Sequence, residues 1–364
     1  MNKLLTHTSK IYTFMFLTLL SVFVIGLSAC STDNETTQKP SVQVLNTEEK
    51  KSEPAKSPDP VSEKHDEDEE HDEHEKHDEH EKHDEDEEHD EVVEIIDALG
   101  QSLTFDVAPE RIATLSPTAT EILYYAGGTS VLRDRASNFP EEAKSLPDVG
   151  SSYDPSIEAI LAARPDLVII EALTQARFAS ILGQSGLKVM AVKVESVEDV
   201  KSNILNVGKV IGNENLAAQK VSEIEKRLSA VSDSDERSVL MLISDQDRNL
   251  YAARPESYTG LIASTLGMAN KAEGLPDSGP FPGFSMMTPE AILMANPDVI
   301  VTITPAPEPA PRLSETITQI PPFAALKAIQ TGSIFEADLT LFLQSPGPRI
   351  VDAVESLKNG IQKK

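Results

Sequence analysis

The sequence predicts an α/β protein of two similar lobes, mainly because one phrase occurs twice. Residues 158–161 (EAIL) lead into 165–170 (PDLVII), and residues 290–293 (EAIL) lead into 297–301 (PDVIV). Each copy has the pattern of a short amphipathic helix, a proline that ends it, and a buried strand of a parallel sheet. The second copy begins 132 positions after the first, a spacing that fits a lobe of ordinary domain size. Two such lobes enclose a cleft, and clefts between domains are common ligand sites.

Residues 1–29 have the features of a lipoprotein signal peptide. Lys3 and Lys10 precede an apolar stretch over 11–27, and small residues precede Cys30. Cys30 is the chain's single cysteine and stands where a bacterial lipobox places the thiol that receives lipid chains. We therefore expect a lipid anchor to a bacterial membrane, in the periplasm or at the cell surface. The alternative is an uncleaved N-terminal anchor, and both place the folded part outside the cytoplasm.

Residues 30–91 have the composition of a disordered tether. The part up to residue 61 is rich in Ser, Thr, Lys, Glu and Pro. Residues 61–91 contain 19 acidic residues and three lysines, which is −16 of the chain's net charge of −28. Seven of the chain's eight histidines lie in this second part, mostly six residues apart. We call it the histidine run, and its histidines are His65, His71, His74, His77, His80, His83 and His89.

The histidine run has two interpretations. Imidazole and carboxylate groups bind Zn²⁺, Cu²⁺ and Ni²⁺, which predicts weak and poorly selective binding of divalent metal ions, accessory to a main site. The alternative is a solvated polyanionic spacer whose histidines come from repeat expansion. If metal binding were the main function, the protein would be a surface buffer for divalent metals of the zinc type. In such a buffer the folded part would only carry the histidine run and would need no two-lobed cleft, so the repeated phrase argues against it.

The folded part begins at residue 92, with an N-terminal lobe predicted over 92–205. Its first helix starts at the carboxyl end of a strand, where open α/β sheets bind ligands. The other elements follow from apolar periodicity and turn residues. The predicted elements are a hairpin over 92–105, a strand at 111–115, a helix between Ser116 and Gly127, the first copy of the phrase, a helix near 174–182 and a strand at 187–192.

A long helix is predicted to join the lobes. No proline occurs between Pro165 and Pro255, and the apolar residues of this stretch keep helical spacing. We predict a bridging helix over 206–234, which would limit hinge motion, and a C-terminal lobe over 235–364. The predicted elements of that lobe are a strand at 238–243, a helix at 258–266, the second copy of the phrase, a strand at 333–336 and a closing helix at 348–361.

Several functional classes are disfavoured. The sequence has no nucleophile elbow, Walker loop, dinucleotide fingerprint or His-Glu metal helix. From residue 92 onward it has no histidine, the commonest general base. The pair Asp245 and Asp247 could bind a metal ion, but a single Asp-x-Asp pair is only weak evidence for a metal site. We therefore predict a protein that is not an enzyme, with no intrinsic cofactor and no nucleic-acid partner, because its charge is strongly negative.

Five motifs follow one another in a characteristic order along the folded part. They are the Arg111-Ile112 strand, the Ser116-Pro117 turn before Glu121, the two EAIL phrases with a bridging helix between them, and residues 345–349 (SPGPR). This order resembles the cobalamin and ferric-siderophore family of ABC-importer binding proteins, over about residues 92–362. The resemblance implies two Rossmann-like lobes bridged by a rigid helix, with a shallow cleft for a large metal chelate. It also implies an ABC permease and its ATPase as partners, and we expect a monomer.

The resemblance implies a docking role for Glu158 and Glu290. Both align with positions at which family members place acidic residues that contact arginines of the permease. Two separated carboxylates fix the orientation of a partner by charge pairing. The alternative is that both are ordinary first-turn glutamates, which the positive N-terminus of a helix stabilises.

The resemblance also indicates aromatic candidates for ligand binding. By position, Phe284 and Phe342 stand where cobalamin-binding members have tryptophan, and Tyr153 lies in a loop that contributes an aromatic residue. This chain has no tryptophan, a departure that puts cobalamin itself in doubt. Stacking by Phe and Tyr still suits a flat macrocycle. Core packing is the alternative role for each ring.

Other candidates depend on the nature of the ligand. Heme binders of this family ligate iron with tyrosine or histidine, which leaves a methionine or one of three tyrosines here. Ferric siderophores are negatively charged and are usually met by arginines, although an exposed arginine is commonly just solvated. The further candidates are Tyr251, Tyr258, Met286, Met287, Arg177, Arg248 and Arg254.

We therefore predict a lipid-anchored, extracytoplasmic solute-binding protein that delivers a metal chelate to an ABC importer. The preferred ligand is a ferric siderophore or related iron complex, then a corrinoid. A heme-binding receptor of the same family and a divalent-metal buffer are the alternatives.

Overall fold

The computed structural model of the protein describes residues 92–232 and 234–362, which form two α/β lobes. The N-terminal lobe contains a three-stranded parallel sheet in the order β3-β6-β7. Two antiparallel hairpins, β1-β2 and β4-β5, flank it. Its strands are β1 (Val93–Ile96), β2 (Ser102–Phe105), β3 (Ile112–Thr114), β4 (Gly150–Ser151), β5 (Asp154–Pro155), β6 (Leu167–Glu171) and β7 (Lys188–Val192). Its helices are α1 (Pro117–Tyr125), α2 (Ile157–Ala163) and α3 (Ala172–Gln184).

The C-terminal lobe contains a mixed sheet in the order β11-β9-β8-β12-β13, with β10 paired to β8. Strands β8, β12 and β13 are parallel, and β9 runs antiparallel to β8. The strands are β8 (Ser238–Ser244), β9 (Leu250–Ala253), β10 (Ala269–Asn270), β11 (Phe284–Met287), β12 (Val299–Ile303) and β13 (Ile334–Ala337). The helices are α6 (Tyr258–Leu266), α7 (Pro289–Ala295), α8 (Leu313–Ile317), α9 (Lys327–Gln330) and α10 (Ile350–Gln362).

The predicted two-lobed α/β fold is confirmed, and most predicted elements occur within a few residues of their predicted bounds. Several short elements were not predicted, namely β4, β5, β9, β10, β11, α8 and α9. Strands β9 and β11 have four residues each, and neither shows the β-branched alternation by which a strand is recognised.

The segment between the two lobes differs in detail from the prediction. Residues 206–234 were expected to form one helix, but they contain the end of α4 (Val197–Val210), a turn, and all of α5 (Glu214–Ser229). The turn forms because Gly212 takes a left-handed conformation, with φ of 71°. Helices α4 and α5 then pack against each other. Gly208 permits this close approach, because a Cβ atom there would clash with Ala217 of α5.

Helix α5 is the element that bridges the lobes. Near its start, Leu216 packs against Gly127, which follows α1 of the N-terminal lobe. Near its end, Arg227 pairs with Asp352 and Glu355 on α10 of the C-terminal lobe, both at 2.7 Å. Its 16 residues span about 24 Å.

One hydrophobic cluster continues through both lobes. It includes Ile122 of α1, Ile204 of α4, Ile224 of α5, and Val354 and Leu357 of α10, all buried. The lobes therefore share apolar packing as well as a helix. Such packing resists large relative motion, because rotation of one lobe would expose part of this cluster to water.

The two copies of the repeated phrase have the same local structure. Helices α2 and α7 begin with a hydroxyl cap, at Ser156 and at Thr288, and each ends at a residue with positive φ. The aspartate that follows anchors the start of the neighbouring parallel strand. Asp166 accepts a hydrogen bond from the Arg111 N–H at 2.9 Å, and Asp298 accepts one from the Ser238 N–H at 2.9 Å. The shared sequence therefore specifies a helix, a strand and the attachment of that strand to its neighbour.

Candidate functional site

A buried ion pair joins the two lobes. Arg349 Nε donates to Glu121 Oε2 at 2.8 Å, and Arg349 Nη2 donates to Glu121 Oε1. The Glu121 side chain is 1% exposed and that of Arg349 is 12% exposed. Both lie on segments that follow the carboxyl ends of parallel strands, β3 and β13, where α/β sheets bind ligands. The bidentate geometry fixes how the two segments face each other.

The Ser116-Pro117 motif positions Glu121. Ser116 Oγ accepts a hydrogen bond from the Ala119 N–H at 3.1 Å and so caps α1. Pro117 is the first helical residue, where its fixed φ favours helix formation. The helix therefore starts directly after β3 and carries Glu121 toward the other lobe.

Other groups surround this ion pair. The Phe139 ring centroid lies 4.2 Å from the Arg349 guanidinium carbon, and the Phe139 side chain is 37% exposed. The hydroxyl groups of Tyr258 and Ser345 are buried nearby. Burial raises the pKa of Glu121, and the hydrogen bond from Arg349 opposes that rise. Burial and the neighbouring Glu121 also raise the pKa of Tyr258, which keeps its hydroxyl protonated.

The N-terminal lobe contributes an exposed apolar rim. Tyr153, in the turn between β4 and β5, is 65% exposed. Arg177 donates to the Tyr153 carbonyl, and buried Gln175 donates to the carbonyls of Leu115 and Ser152 at 2.6 and 2.8 Å. These bonds fix the turn beside the carboxyl end of β3. Leu173, at the start of α3, is also exposed and extends the rim.

The C-terminal lobe contributes the turn between β8 and β9. Asp245 accepts hydrogen bonds from the Asn249 N–H, from Asn249 Nδ2 and, at 2.9 Å, from Tyr251 Oη. The bonds from Asn249 and Tyr251 lower the pKa of Asp245. Arg248, in the same turn, has a left-handed backbone with φ of 64°. Its side chain is exposed and, within the described residues, makes no hydrogen bond or ion pair.

Arg254 is held by its own lobe. Its guanidinium lies 3.1 Å from Glu256 and 3.6 Å from Asp277, and most of its side chain is buried. The Arg254 N–H donates to the Gly283 carbonyl at 3.0 Å. The Gly283 N–H in turn donates to Asp277 at 2.9 Å. Arg254 therefore positions the loop over 277–283, which carries Phe281.

Four of the aromatic candidates are buried. Phe284 packs edge-to-face against Phe281, which packs in the same way against buried Tyr251 at 5.2 Å between ring centroids. Phe342 packs against Phe335 and is fully buried, and Tyr258 is buried as well. These four rings form part of the protein interior. Met286, by contrast, is half exposed on the edge strand β11, beside Tyr251.

Sequence reasoning did not single out Phe139 or Leu173. Phe139 occurs in a loop between Asn138 and Pro140, and Leu173 lies in the first turn of a helix that reads as amphipathic. A large apolar residue in a polar loop was the available signal for Phe139. Nothing in the local pattern marks Leu173 as exposed.

Glu158 and Glu290 occupy equivalent places in the two lobes. Each is an exposed residue in the first turn of a seven-residue helix, α2 or α7. Each helix leads directly into a parallel strand, β6 or β12. Met294, one turn after Glu290, is 85% exposed.

The remaining sequence candidates, Cys30 and the histidine run, lie outside the described residues. Within 92–232 and 234–362, no helix is long and apolar enough to cross a membrane. The same residues contain no group of three or more His, Cys, Asp or Glu side chains placed to hold a metal ion.

Comparison with known proteins points to one family. Residues 112–340 match the family described as Periplasmic binding protein. The chain is 26% identical over 282 residues to the ABC transporter substrate-binding lipoprotein YvrC of Bacillus subtilis, covering 74% of this chain and 85% of that protein. It is 24% identical over 274 residues to a cobalamin-binding protein of Halobacterium salinarum, covering 72% of each.

Solved structures share the fold. The petrobactin-binding protein YclQ of Bacillus subtilis superposes with a TM-score of 0.67 at 18% identity. The match covers 75% of this chain and all of YclQ.

Proposed function

Because the chain belongs to the periplasmic binding protein family, we propose that it captures a metal chelate outside the cytoplasm and delivers it to an ABC importer. The chelate is an iron complex or a cobalamin. The observation that supports this proposal is the pair of α/β lobes, which the buried Glu121–Arg349 ion pair joins and which carry exposed apolar side chains in their loops. The similarity to a substrate-binding lipoprotein, a cobalamin-binding protein and a petrobactin-binding protein also supports it.

The ligand contacts come mainly from the exposed side chains. Tyr153, Phe139 and Leu173 offer apolar surface from the N-terminal lobe. Met286 would extend the apolar surface. Phe284, Phe342 and Tyr258 act behind this surface, because they are buried.

Glu158 and Glu290 dock the protein on the permease, which works with a separate ATPase. Their equivalent positions on the two lobes orient the protein on the permease when both carboxylates pair with basic residues. Lipid chains on Cys30 keep the protein at the membrane surface. Catalysis is not part of this function.

Direct binding tests the proposal. Isothermal titration of the purified full chain with cyanocobalamin, hemin and two ferric siderophores should give sub-micromolar binding for one of them. Tyr153→Ala should weaken that binding roughly tenfold, because an aromatic face is lost. Ile96→Ala, which truncates another exposed side chain on the β1-β2 hairpin, is the control and should leave affinity unchanged. Absence of binding to all four chelates would overturn the proposal.

Heme is the weaker ligand candidate on the present geometry. Tyr251 Oη is bonded to Asp245, and Tyr258 is buried beneath the cleft. Of the three tyrosines considered as iron ligands, Tyr153 alone has an exposed side chain. Its ligation of iron would be the signature of heme binding, and loss of the heme absorption spectrum in Tyr153→Phe would reveal it.

The histidine run supplies an accessory metal-binding function. Its imidazoles and carboxylates suit divalent ions of the zinc type. Deleting residues 62–91 should lower the number of bound Zn²⁺ ions and leave chelate affinity nearly unchanged. A large loss of chelate affinity would instead make the run part of the main site.

A further inference from the structure

The charges around the cleft indicate what kind of chelate it accepts. We infer that the cargo carries no net negative charge, so that the protein selects a neutral or cationic chelate over a polyanionic ferric siderophore. This inference rests on the proposed function and narrows its substrate class. It depends on where each positively charged side chain near the cleft directs its donors.

Two arginines near the cleft are paired with carboxylates. Arg349 forms the buried bidentate pair with Glu121. Arg254 lies between Glu256 and Asp277. An anionic ligand would have to compete with these carboxylates, and breaking the Arg349 pair would leave the charge of Glu121 buried and unpaired. Neither arginine is therefore available to a polyanion at low cost.

Two other arginines direct their donors at the backbone. Arg133 Nη1 donates to the carbonyls of Asp134 and Arg135, at 2.9 and 3.2 Å, and its Nη2 donates to the carbonyl of Lys144 at 3.2 Å. Arg177 Nη2 donates to the carbonyl of Tyr153. These bonds hold the loops of the N-terminal rim in place. The guanidinium groups thus support the cleft wall from behind.

Arg135 and Arg248 are two further cations. The exposed Arg135 guanidinium pairs with Asp148 at 3.3 Å. Arg248 is outnumbered by the acidic residues of its own turn. Its side chain has no partner among the described residues, but Asp245 and Asp247 lie in the same turn.

On the opposite rim, exposed Asp154 directly follows Tyr153. The two rims therefore present more negative than positive charge to an incoming ligand. These carboxylates would repel a polyanion. Recognition of a polyanion would instead require several positively charged donors that are not already paired.

A chelate without negative charge meets a suitable surface instead. Tyr153, Phe139 and Leu173 are each exposed on the N-terminal lobe, and aromatic faces bind flat or weakly polar ligands through burial of area. Such binding needs no counter-charge and is insensitive to salt. The apolar rim and the paired arginines thus favour the same class of cargo.

Titration of the full chain with four chelates tests this inference. The probes are neutral cyanocobalamin, cationic ferrioxamine B, hemin with its two propionates, and triply anionic ferric enterobactin. We expect cyanocobalamin or ferrioxamine B to bind most tightly. Raising sodium chloride from about 50 to about 500 mM should change that affinity less than about threefold. Tightest binding by ferric enterobactin or hemin would overturn the inference and leave the proposed function standing, whereas no binding by any probe would overturn the proposed function.

A charge variant gives a second readout. Arg248→Gln should change the affinity for the best probe by less than about threefold, since no anion is recognised there. Lys271→Gln is the matched control, because Lys271 is an exposed cation near the amino end of β8, away from the cleft. A loss of more than about tenfold in Arg248→Gln alone would show that the cargo is recognised as an anion and would overturn the inference.

Discussion

Glu121 and Arg349 are 228 residues apart in the chain and form a buried, bidentate ion pair between the two lobes. The pair links the start of α1 to the segment before α10, and the Phe139 ring covers the guanidinium. The pair thus fixes the position of these two segments relative to each other. Removal of one partner leaves the other charge buried, which is far more costly than loss of a surface pair.

Glu121→Gln should therefore destabilise the protein by about 3 kcal/mol. The substitution keeps the volume of the side chain and removes the charge that compensates Arg349. The measurement is the urea midpoint of unfolding of the full chain. Glu158→Gln removes an exposed carboxylate from the same lobe and should have no measurable effect. Equal midpoints for Glu121→Gln and the parent would show that the ion pair does not stabilise the fold.

Asp298 should make stability depend on pH. Its carboxylate pairs with Lys327 and accepts two hydrogen bonds from Ser238, and these interactions hold its pKa well below its usual range. A depressed pKa in the folded state stabilises the protein above the unfolded-state value, and that contribution is lost as pH falls below about 4.

The urea midpoint of Asp298→Asn should accordingly be lower than that of the parent near neutral pH. The difference between the two midpoints should become smaller as the pH falls below about 4, and it should vanish only as the pH passes through the depressed folded-state pKa. Asp247→Asn, in the exposed turn after β8, is the control and should follow the parent at every pH. A gap between Asp298→Asn and the parent that stays constant with pH would contradict the linkage.

Reversal of charge at both Glu158 and Glu290 should abolish uptake and leave chelate affinity intact. Both carboxylates are exposed, and neither is among the proposed ligand contacts. The measurements are chelate uptake by cells and titration of the purified variant. Glu214→Arg is the matched control, because Glu214 is also an exposed first-turn glutamate, on α5. Normal uptake by the double variant would remove the docking role.

Gly208→Ala should destabilise the protein by roughly 1–3 kcal/mol through overpacking. Its added Cβ atom would clash with Ala217, so that α4 and α5 must separate. Gly183→Ala is the control, since Gly183 is helical and has no atom within 4 Å of an added Cβ. It should be neutral or slightly stabilising, because alanine favours a helix. Thermal unfolding followed by circular dichroism distinguishes the two variants.

The repeated phrase shows why so much of the fold could be predicted. Its helix, proline and buried strand are local features, and apolar periodicity together with cap residues identifies them. The bridging segment could not be resolved as well. Its apolar stripe continues from α4 into α5, and only the conformation of Gly212 and the contact at Gly208 reverse the chain there.

The site was less predictable than the fold. Tyr153 and Arg248 are exposed at the cleft, as their loop positions suggested. Phe284 and Phe342 are buried, because burial depends on which face of an edge strand or turn meets the rest of the lobe. The pairing of Glu121 with Arg349 was also invisible in the sequence, since nothing local connects residues 228 positions apart. The role of each sequence candidate as a ligand contact remains a prediction.

The apolar cluster that runs through both lobes has a kinetic consequence. Since spontaneous opening would expose that cluster, the unaided protein should exchange its cargo without a slow conformational step, at a rate set by escape of the cargo from the cleft.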